Sequence, residues 1–258
     1  MKLADNRAYL LQKKIIFNNQ IFLTATDYID SYQKDLSPMF SWMKNIGFSN
    51  DTEIFDIGAN IGVFSLAYAS MFQHAEIHAF EPINFIHKQF LKNLQLNPKL
   101  SSRIHAHNVG ISNCFEQKSL SIPTQAQHER YESTNDIRLF SVFGKGKERF
   151  NADFVPLDQW ITDHGVANVN FIKIDVEGYE YPVLQGAEET LRSFKPVVMF
   201  ELNTLTLTLS DVSVNDYLSF AKSLNYKVYG LQYGYKTELL KIDDVKQVEL
   251  ISDIVLLP

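Results

Sequence analysis

The sequence predicts an α/β fold: a doubly wound, mostly parallel sheet with helices on both faces. Three observations carry this expectation. From Glu53 onward, short apolar runs alternate with segments whose apolar residues recur at steps of three and four, the pattern of strands joined by crossover helices. The run "PVVMF" (196–200) is apolar without alternation, as a strand covered on both faces has to be. A chain of 258 residues, 45% of them hydrophobic, can bury the core of one large domain.

The elements follow in order. "EIFDIG" (53–58) is the first strand of the alternation, and Val63, Phe64, Ala67 and Met71 mark one face of the helix after it. "EIHAFE" (76–81) is the second strand, followed by a helix carrying Ile83, Ile86, Phe90 and Leu94. "RIHAHNVG" (103–110) is the third strand. "VNFIKID" (169–175) is the fourth, followed by a helix facing inward with Val183, Leu184, Ala187 and Leu191. "PVVMFEL" (196–202) is the fifth. A helix around 213–224, the strand "YKVYGL" (226–231) and the strand "DIVLLP" (253–258) complete the pattern.

Two regions stand outside it. Residues 1–50 read as an N-terminal decoration, with a small hairpin around Asn18 and Asn19 and a short helix over 37–47 that has Ser37 as cap and Pro38 at its first position. Residues 51–258 are then one Rossmann-like domain interrupted by an insertion at about 113–156. Segments 119–123 and 149–156 are expected to pair as an antiparallel flap near the carboxyl edge of the sheet, where ligands bind in this architecture. Its aromatics Tyr131, Phe140, Phe143 and Phe150 suit either a sugar-stacking lid or the flap's own small core.

Composition narrows the partners. With 24 basic against 30 acidic residues and no cationic tract, the chain lacks the electrostatic footprint of a nucleic-acid binder. One cysteine, Cys114, leaves no intrachain disulfide and no cysteine-pair metal site. The opening "MKLADNRAYLLQKK" is too polar for a signal peptide, and no run is long enough to span a bilayer. The expectation is a cytoplasmic protein with no membrane partner, its oligomeric state open.

Successive strand ends carry the chemistry. In "FDIGANIG" (55–62), Asp56 closes the strand and Gly58 permits a tight turn. Gly62 lets the helix pack close to the strand, and the amides of Ala59 and Asn60 are expected to face a ligand at the helix N-terminus. The spacing lacks the middle glycine of G-x-G-x-x-G, so it suits a nucleoside without phosphate better than NAD. Glu81, in "FEP", is placed to accept both hydroxyls of a ribose. Asn108, in "HNVGIS" (107–112), offers a donor and an acceptor to an adenine. Asp56 and Glu81 also suit plain helix caps.

The segment "FIKIDVEGYE" (171–180) adds an acidic group. Lys173, near the end of an inner strand, needs a carboxylate partner, with Asp158, Asp175 and Glu201 as candidates. Glu177 follows at the mouth, Gly178 opens the next helix, and "MFELN" brings Glu201 and Asn203 alongside. Asp175, Glu177 and Glu201 are the candidate catalytic residues, Asp175 first. They suit a general base for a hydroxyl, a divalent metal such as magnesium or calcium, or an ion-pair network around Lys173; no metal ligand set is assigned. His78 and His105 read as core residues, His107 as a strand-end residue on the adenosine side, and His128 as a loop residue able to reach over the pocket.

The segments "DIGANIGVFS", "AFEP", "VPLDQWI", "FIKIDVEGYEYPVLQGAEETL" and "VVMFELN" resemble the FkbM-type S-adenosylmethionine-dependent methyltransferases over about 53–202. "IKIDVEG" followed by "VLQGA" is the specific part. The resemblance implies a class I methyltransferase fold, a seven-stranded sheet whose last strand is antiparallel. It implies S-adenosylmethionine as cofactor and methyl transfer to a hydroxyl oxygen of a sugar or small natural product, with a small-molecule or glycan acceptor as partner. It also implies that Asp56, Gly58, Ala59, Asn60 and Gly62 form the cofactor turn, that Glu81 holds the ribose, and that Asp175 and Glu177 sit at the methyl side. Two rival readings stand beside it: an NAD-dependent oxidoreductase on a similar sheet, and a non-catalytic adenosine-binding domain. The oxidoreductase lacks its Tyr-x-x-x-Lys pair, because Val183 follows Tyr179 at that spacing. A nucleic-acid base methyltransferase would carry an Asn-Pro-Pro-aromatic loop where "DVEG" stands.

Overall fold

The computed structural model describes residues 13–17, 20–24, 42–43, 48, 52–121, 141–145, 147, 149–207, 209–232, 238–248 and 251–258. Strands β1 (Lys13–Phe17) and β2 (Gln20–Thr24) pair antiparallel with Phe17 opposite Gln20, the two strands of the expected hairpin. Of the helix expected over 37–47, Trp42 and Met43 are helical and buried; the rest lies outside the described residues.

The alternation then unfolds largely as its periodicity predicts. Strand β3 (Glu53–Ile57) leads to α1 (Val63–Met71), β4 (Glu76–Phe80), α2 (Asn84–Leu96), the short α3 (Pro98–Ser101) and β5 (Ile104–His107). A second sheet follows: β6 (Gly110–Ser112), β7 (Glu116–Leu120) and β8 (Phe150–Pro156), with β8 in the middle, antiparallel to β7 and parallel to β6. After α4 (Leu157–His164), β9 (Phe171–Ile174) re-enters the main sheet. Helices α5 (Glu180–Gln185) and α6 (Glu188–Phe194) lead to β10 (Val197–Asn203), then α7 (Thr204–Leu207), α8 (Val214–Ser223), β11 (Lys227–Gln232), β12 (Glu238–Lys241) and β13 (Ile251–Leu257).

The main sheet has eight strands in the order β12–β11–β13–β10–β9–β3–β4–β5. Its five strands from β10 to β5 are parallel, and β13 wedges antiparallel between β10 and β11, as the resemblance implied. The expected count of seven is exceeded by β12, which hydrogen-bonds to the outer edge of β11. The order reverses at β3, with β4 and β5 on one side and β9 and β10 on the other. Right-handed crossovers at such a reversal put the connecting helices on opposite faces and open a crevice at the carboxyl ends of the central strands. Phe55, Ile57, Ile77, Phe80, Phe171, Ile172, Val198 and Phe200 fill both sides of those strands.

Two expected elements are shorter or split, each for a local reason. The third strand ends at His107, not Gly110: Asn108 donates its side-chain amide to the carbonyls of Glu81 and Pro82, and the chain leaves the main sheet there to begin β6. The helix after the fourth strand breaks at Gly186, where a Cβ would lie 1.8 Å from the Ser112 carbonyl oxygen. Asp158 then accepts from the Glu189 and Thr190 amides at 3.0 and 2.8 Å, capping α6. Asp158 is therefore a cap and not the partner of Lys173. In the flap the first strand spans 116–120 rather than 119–123, and Ser121 bridges to Ser141. His128, Tyr131 and Phe140 lie outside the described residues.

On the face covered by α4, histidine and aromatic rings pack together, some stacked and some edge-on. The Phe55–His78 ring centroids are 4.9 Å apart, His78–His105 5.2 Å, His107–Trp160 4.8 Å and Trp160–His164 4.0 Å. His78 is partly buried rather than a full core residue, with its Nε2 2.9 Å from Glu53 Oε2. His105 instead lies on the exposed rim against Glu76, and His107 turns to Trp160 rather than toward a ligand. Burial, reinforced by the neighbouring histidines, pushes His78 down to about 3 and His107 to about 4. Among the described residues no helix is long and apolar enough to cross a membrane.

His107 thus stays neutral in the fold, while the unfolded chain takes up its proton below its ordinary 6.5. Its contribution is complete above that pH and is lost progressively as pH falls toward about 4. A His107→Phe variant should therefore gain melting temperature relative to the parent as pH is lowered through this window. Thermal unfolding of both proteins across it checks this; a constant difference would refute it.

Candidate active site

The crevice at the reversal holds a cleft of about 560 Å³, open solvent at its mouth included. Its floor is the turn after β3. Gly58 and Asn60 have left-handed φ values of 83° and 51° and both line the cavity. Gly58 is compelled twice over, because a Cβ would also lie 1.9 Å from the carbonyl oxygen of Asp175. The close approach at Gly62 is to α2 and not to the strand: a Cβ there would meet the Phe90 ring at 2.0 Å.

The amides of this turn are all engaged. Gly58 and Ala59 donate to the Phe80 carbonyl at 3.0 and 2.9 Å, and Gly62 to the Ala59 carbonyl at 2.9 Å. The Asn60 amide donates to Glu81 Oε2 at 3.1 Å and the Ile61 amide to Asn60 Oδ1 at 2.8 Å. The expectation that the Ala59 and Asn60 amides face a ligand is corrected by these bonds. Beneath the turn, fully buried Asp56 accepts from the Ser65 hydroxyl at 2.6 Å, and burial pushes its carboxyl up. It does not line the cavity, and the Ser65 backbone also helps to hold its carboxylate, as a cap would.

Glu81 stands at the next strand end. It is 5% exposed and lines the cavity. Its Oε1 accepts from the Ile83 amide at 2.8 Å and its Oε2 from Asn60. An ionised carboxylate has about four acceptor sites, so each oxygen retains capacity for a hydroxyl donor. Burial, partly offset by those two amides, pushes Glu81 up to about 7. Beyond it Ile83, Ile86, Ile111, Leu120 and Phe154 form an apolar wall. Asn108 is not part of the lining, since its donor is spent bracing the Glu81–Pro82 carbonyls.

The opposite wall is acidic. Asp175 and Glu177 line it with Val176 and Tyr179. The Asp175 amide donates to the Ile57 carbonyl at 2.9 Å, and Asp175 Oδ2 takes the Lys173 ammonium at 2.9 Å. Lys173 is 5% exposed and lies 4.4 Å from the Phe64 ring centroid. Burial pulls its ammonium down, but Asp175, Asp56 and Asp253 outweigh this and hold it above its ordinary value. Glu201 is absent from the lining. It sits opposite Asp253 in the β10–β13 ladder, and burial together with Asp175 and Asp253 pushes it up to about 8. Among the described residues, no group of three or more His, Cys, Asp or Glu side chains is arranged to hold a metal ion.

The sequence reading missed several supports. Asn93, fully buried on α2, donates to the Ile61 carbonyl at 2.8 Å and braces the turn from behind. Tyr179 shares hydrogen bonds of 3.0 Å with Ser112 and Glu116, tying the acidic wall to the flap. Ser141 donates to the Glu177 carbonyl at 2.8 Å from the other end of the flap. Phe143 and Phe150 anchor that flap, with ring centroids 6.2 Å from Tyr179 and 5.0 Å from Phe85 respectively. A buried Asn within a helix otherwise patterned for the core was the one available signal; the others depend on contacts distant in sequence.

Comparison with known proteins agrees with this geometry. Residues 56–228 match the family model described as the Methyltransferase FkbM domain. The chain is 31% identical over 157 residues to the methyltransferase sdnD of Sordaria araneosa, covering 53% of this chain and 60% of that protein. It is 26% identical over 155 residues to Methyltransferase 1 of Beauveria bassiana, covering 55% and 61%. The chain thus spans about 60% of the length of these curated relatives. The crystal structure of precorrin-6y C5,15-methyltransferase from Geobacter metallireducens shares the fold, with a TM-score of 0.50 at 12% identity over 94% of this chain and 96% of that one.

The turn geometry has a measurable consequence. Gly58→Ala places a Cβ against backbone, whereas Gly165→Ala, at a φ of 62° with nothing within 4 Å, meets only conformational cost. Chemical denaturation should show a loss of about 1–2 kcal/mol for Gly165→Ala and of more than about 3 kcal/mol, or failure to fold, for Gly58→Ala. Equal losses would mean that the contact between the turn and Asp175 is not tight.

Proposed function

Since the chain belongs to the FkbM methyltransferase family, we propose that its cavity binds S-adenosylmethionine and that it transfers the methyl group to a hydroxyl oxygen of a sugar or small natural product. One observation carries the cofactor reading: the turn has no amide left for a phosphate, yet the carboxylate beside it keeps acceptor capacity for hydroxyls. A dinucleotide would bury a diphosphate against a turn with no donor to offer, which disfavours the NAD reading. Among the described residues no Lys or Arg lines the cavity, so a neutral hydroxylated acceptor suits it better than an anionic one.

The donor set fits an adenosine carrying a positive charge. Glu81 would hold the ribose hydroxyls, Ile83, Ile111 and Phe154 would cover the adenine, and Asp175 would face the cationic end. S-adenosylmethionine, when bound, supplies an electrophilic methyl on a sulfonium that departs as a neutral thioether. The chain's own residues then have to orient an acceptor, exclude water and receive one proton. Leu120 and Val142 of the flap region add apolar surface to the cavity's lining. Asp175 is the first choice as base because Lys173 fixes its carboxylate at the cavity wall, and Glu177 is the second. Glu201, outside the lining, is assigned to the charge balance around Lys173.

Calorimetric titration with S-adenosylhomocysteine, and separately with NAD, tests this. The first should bind and the second should not. Affinity for the first should rise between about pH 6 and 8, because Glu81, raised to about 7, becomes the stronger acceptor once ionised. Glu81→Gln should weaken binding by about tenfold and flatten that pH step. Preference for NAD would overturn the reading, and binding without methylation of any offered polyol would favour the non-catalytic adenosine-binding domain.

A further inference from the structure

The turn that carries the acidic wall is held by a residue that does not touch the cavity. Glu180 begins α5, is 3% exposed and is absent from the lining. Its Oε1 accepts from the Val176 amide at 3.2 Å and from the Gly178 amide at 3.1 Å. Those two donors flank Glu177, whose φ of 54° is left-handed, a conformation costly for a residue with a Cβ. Gly178 follows at 98°, with no room for a side chain, since a Cβ would lie 2.7 Å from Thr206 Cβ. The Glu177 carbonyl is taken by Ser141 of the flap. Glu177 is thus fixed by its two neighbouring amides on one side and by the flap on the other.

We propose that Glu180 is a positioning residue for the methyl-acceptor side of the cavity: its single buried oxygen clamps the Val176 and Gly178 amides, and so aims the strained Glu177 and its neighbour Asp175 into the site. The inference rests on the methyltransferase reading for its functional part and on geometry alone for the clamp. A long carboxyl or carboxamide side chain at the first helical position satisfies it, because only an acceptor oxygen at that reach bridges both amides. Charge is not required. Glu180 lies near Asp175 and Glu201, and burial already pushes it up to about 7, so a neutral form can do the work.

The test uses the full chain in three forms: parent, Glu180→Gln, which keeps the acceptor oxygen, and Glu180→Ala, which removes it. Glu180→Asp, shorter by one methylene, replaces the alanine variant if that fails to fold. Amide hydrogen exchange read by nuclear magnetic resonance reports the clamp, and the resonance of isotope-labelled methyl in bound S-adenosylmethionine reports the cavity. The alanine variant should exchange about tenfold faster at Val176 and Gly178 and shift or broaden the methyl resonance. The glutamine variant should stay within about twofold of the parent with the resonance in place. Unchanged exchange in the alanine variant, or a glutamine variant that behaves like alanine, overturns the clamp. Faster exchange with an unmoved methyl resonance reduces Glu180 to a structural brace and overturns the positioning role. If the parent does not retain S-adenosylmethionine, the cofactor reading fails instead, and the exchange data still decide the clamp.

Discussion

Burying the Lys173 ammonium is the constraint on which the rest of the site depends. An unpaired ammonium at 5% exposure is prohibitively costly, so three strands of the sheet have to supply carboxylates around it. Asp56 comes from β3, Asp175 from the end of β9, and Asp253 from β13 across β10. Fixing Asp175 on Lys173 pins the start of the β9 loop. That loop then packs its carbonyl so tightly on the β3 turn that only glycine fits at position 58. The β3 turn and the acidic wall are therefore one mechanical unit, joined by a contact of backbone on backbone.

The sheet that presents this unit was legible because its signal is local. Apolar runs and helical spacing located β3, β4, β5, β9 and β10 to within a few residues, and the order of motifs located the strand ends. Gly58 and Glu81 could be read for the same reason: a turn and a carboxylate at a strand end have meaning at fixed offsets. The edges were less legible. β12 has an exposed, weakly patterned "ELLK", and nothing in its composition distinguishes an edge strand from a loop. Gly186 looked like part of a continuous helix, because the obstacle to a side chain there is Ser112, far away in sequence.

The same distinction explains the polar residues. The Ala59 and Asn60 amides looked free because a helix N-terminus ordinarily leaves its amides unpaired. Here Phe80 and Glu81 of the neighbouring strand claim them. Asn108 looked like a base-reading residue, and its amide is instead consumed by the backbone that follows β4. In both cases residue type and position were read correctly as polar and at the crevice, but the partner was decided by pairing between strands. Glu201 is the converse: its place near the end of β10 is as expected, yet the antiparallel insertion of β13 sets it against Asp253 and away from the cavity.

These assignments give the cavity a definite electrostatic character. Among the described residues its titratable lining groups are the carboxyls of Glu81, Asp175 and Glu177 and the Tyr179 phenol, with the buried Lys173 ammonium already bound to Asp175. A cavity so lined favours a ligand carrying positive charge over the same ligand without it, by an amount that falls as water enters. In the proposed reaction the cofactor begins as a sulfonium and ends as a neutral thioether. The wall that attracts the substrate form therefore loosens its hold once the methyl has gone. The proton released by a hydroxyl acceptor works in the same direction, since its capture removes one negative charge from the wall. Binding of the charged cofactor, acceptance of the proton and release of the product thus draw on one feature, a carboxylate wall whose geometry Lys173 fixes from behind and whose net charge it only partly cancels.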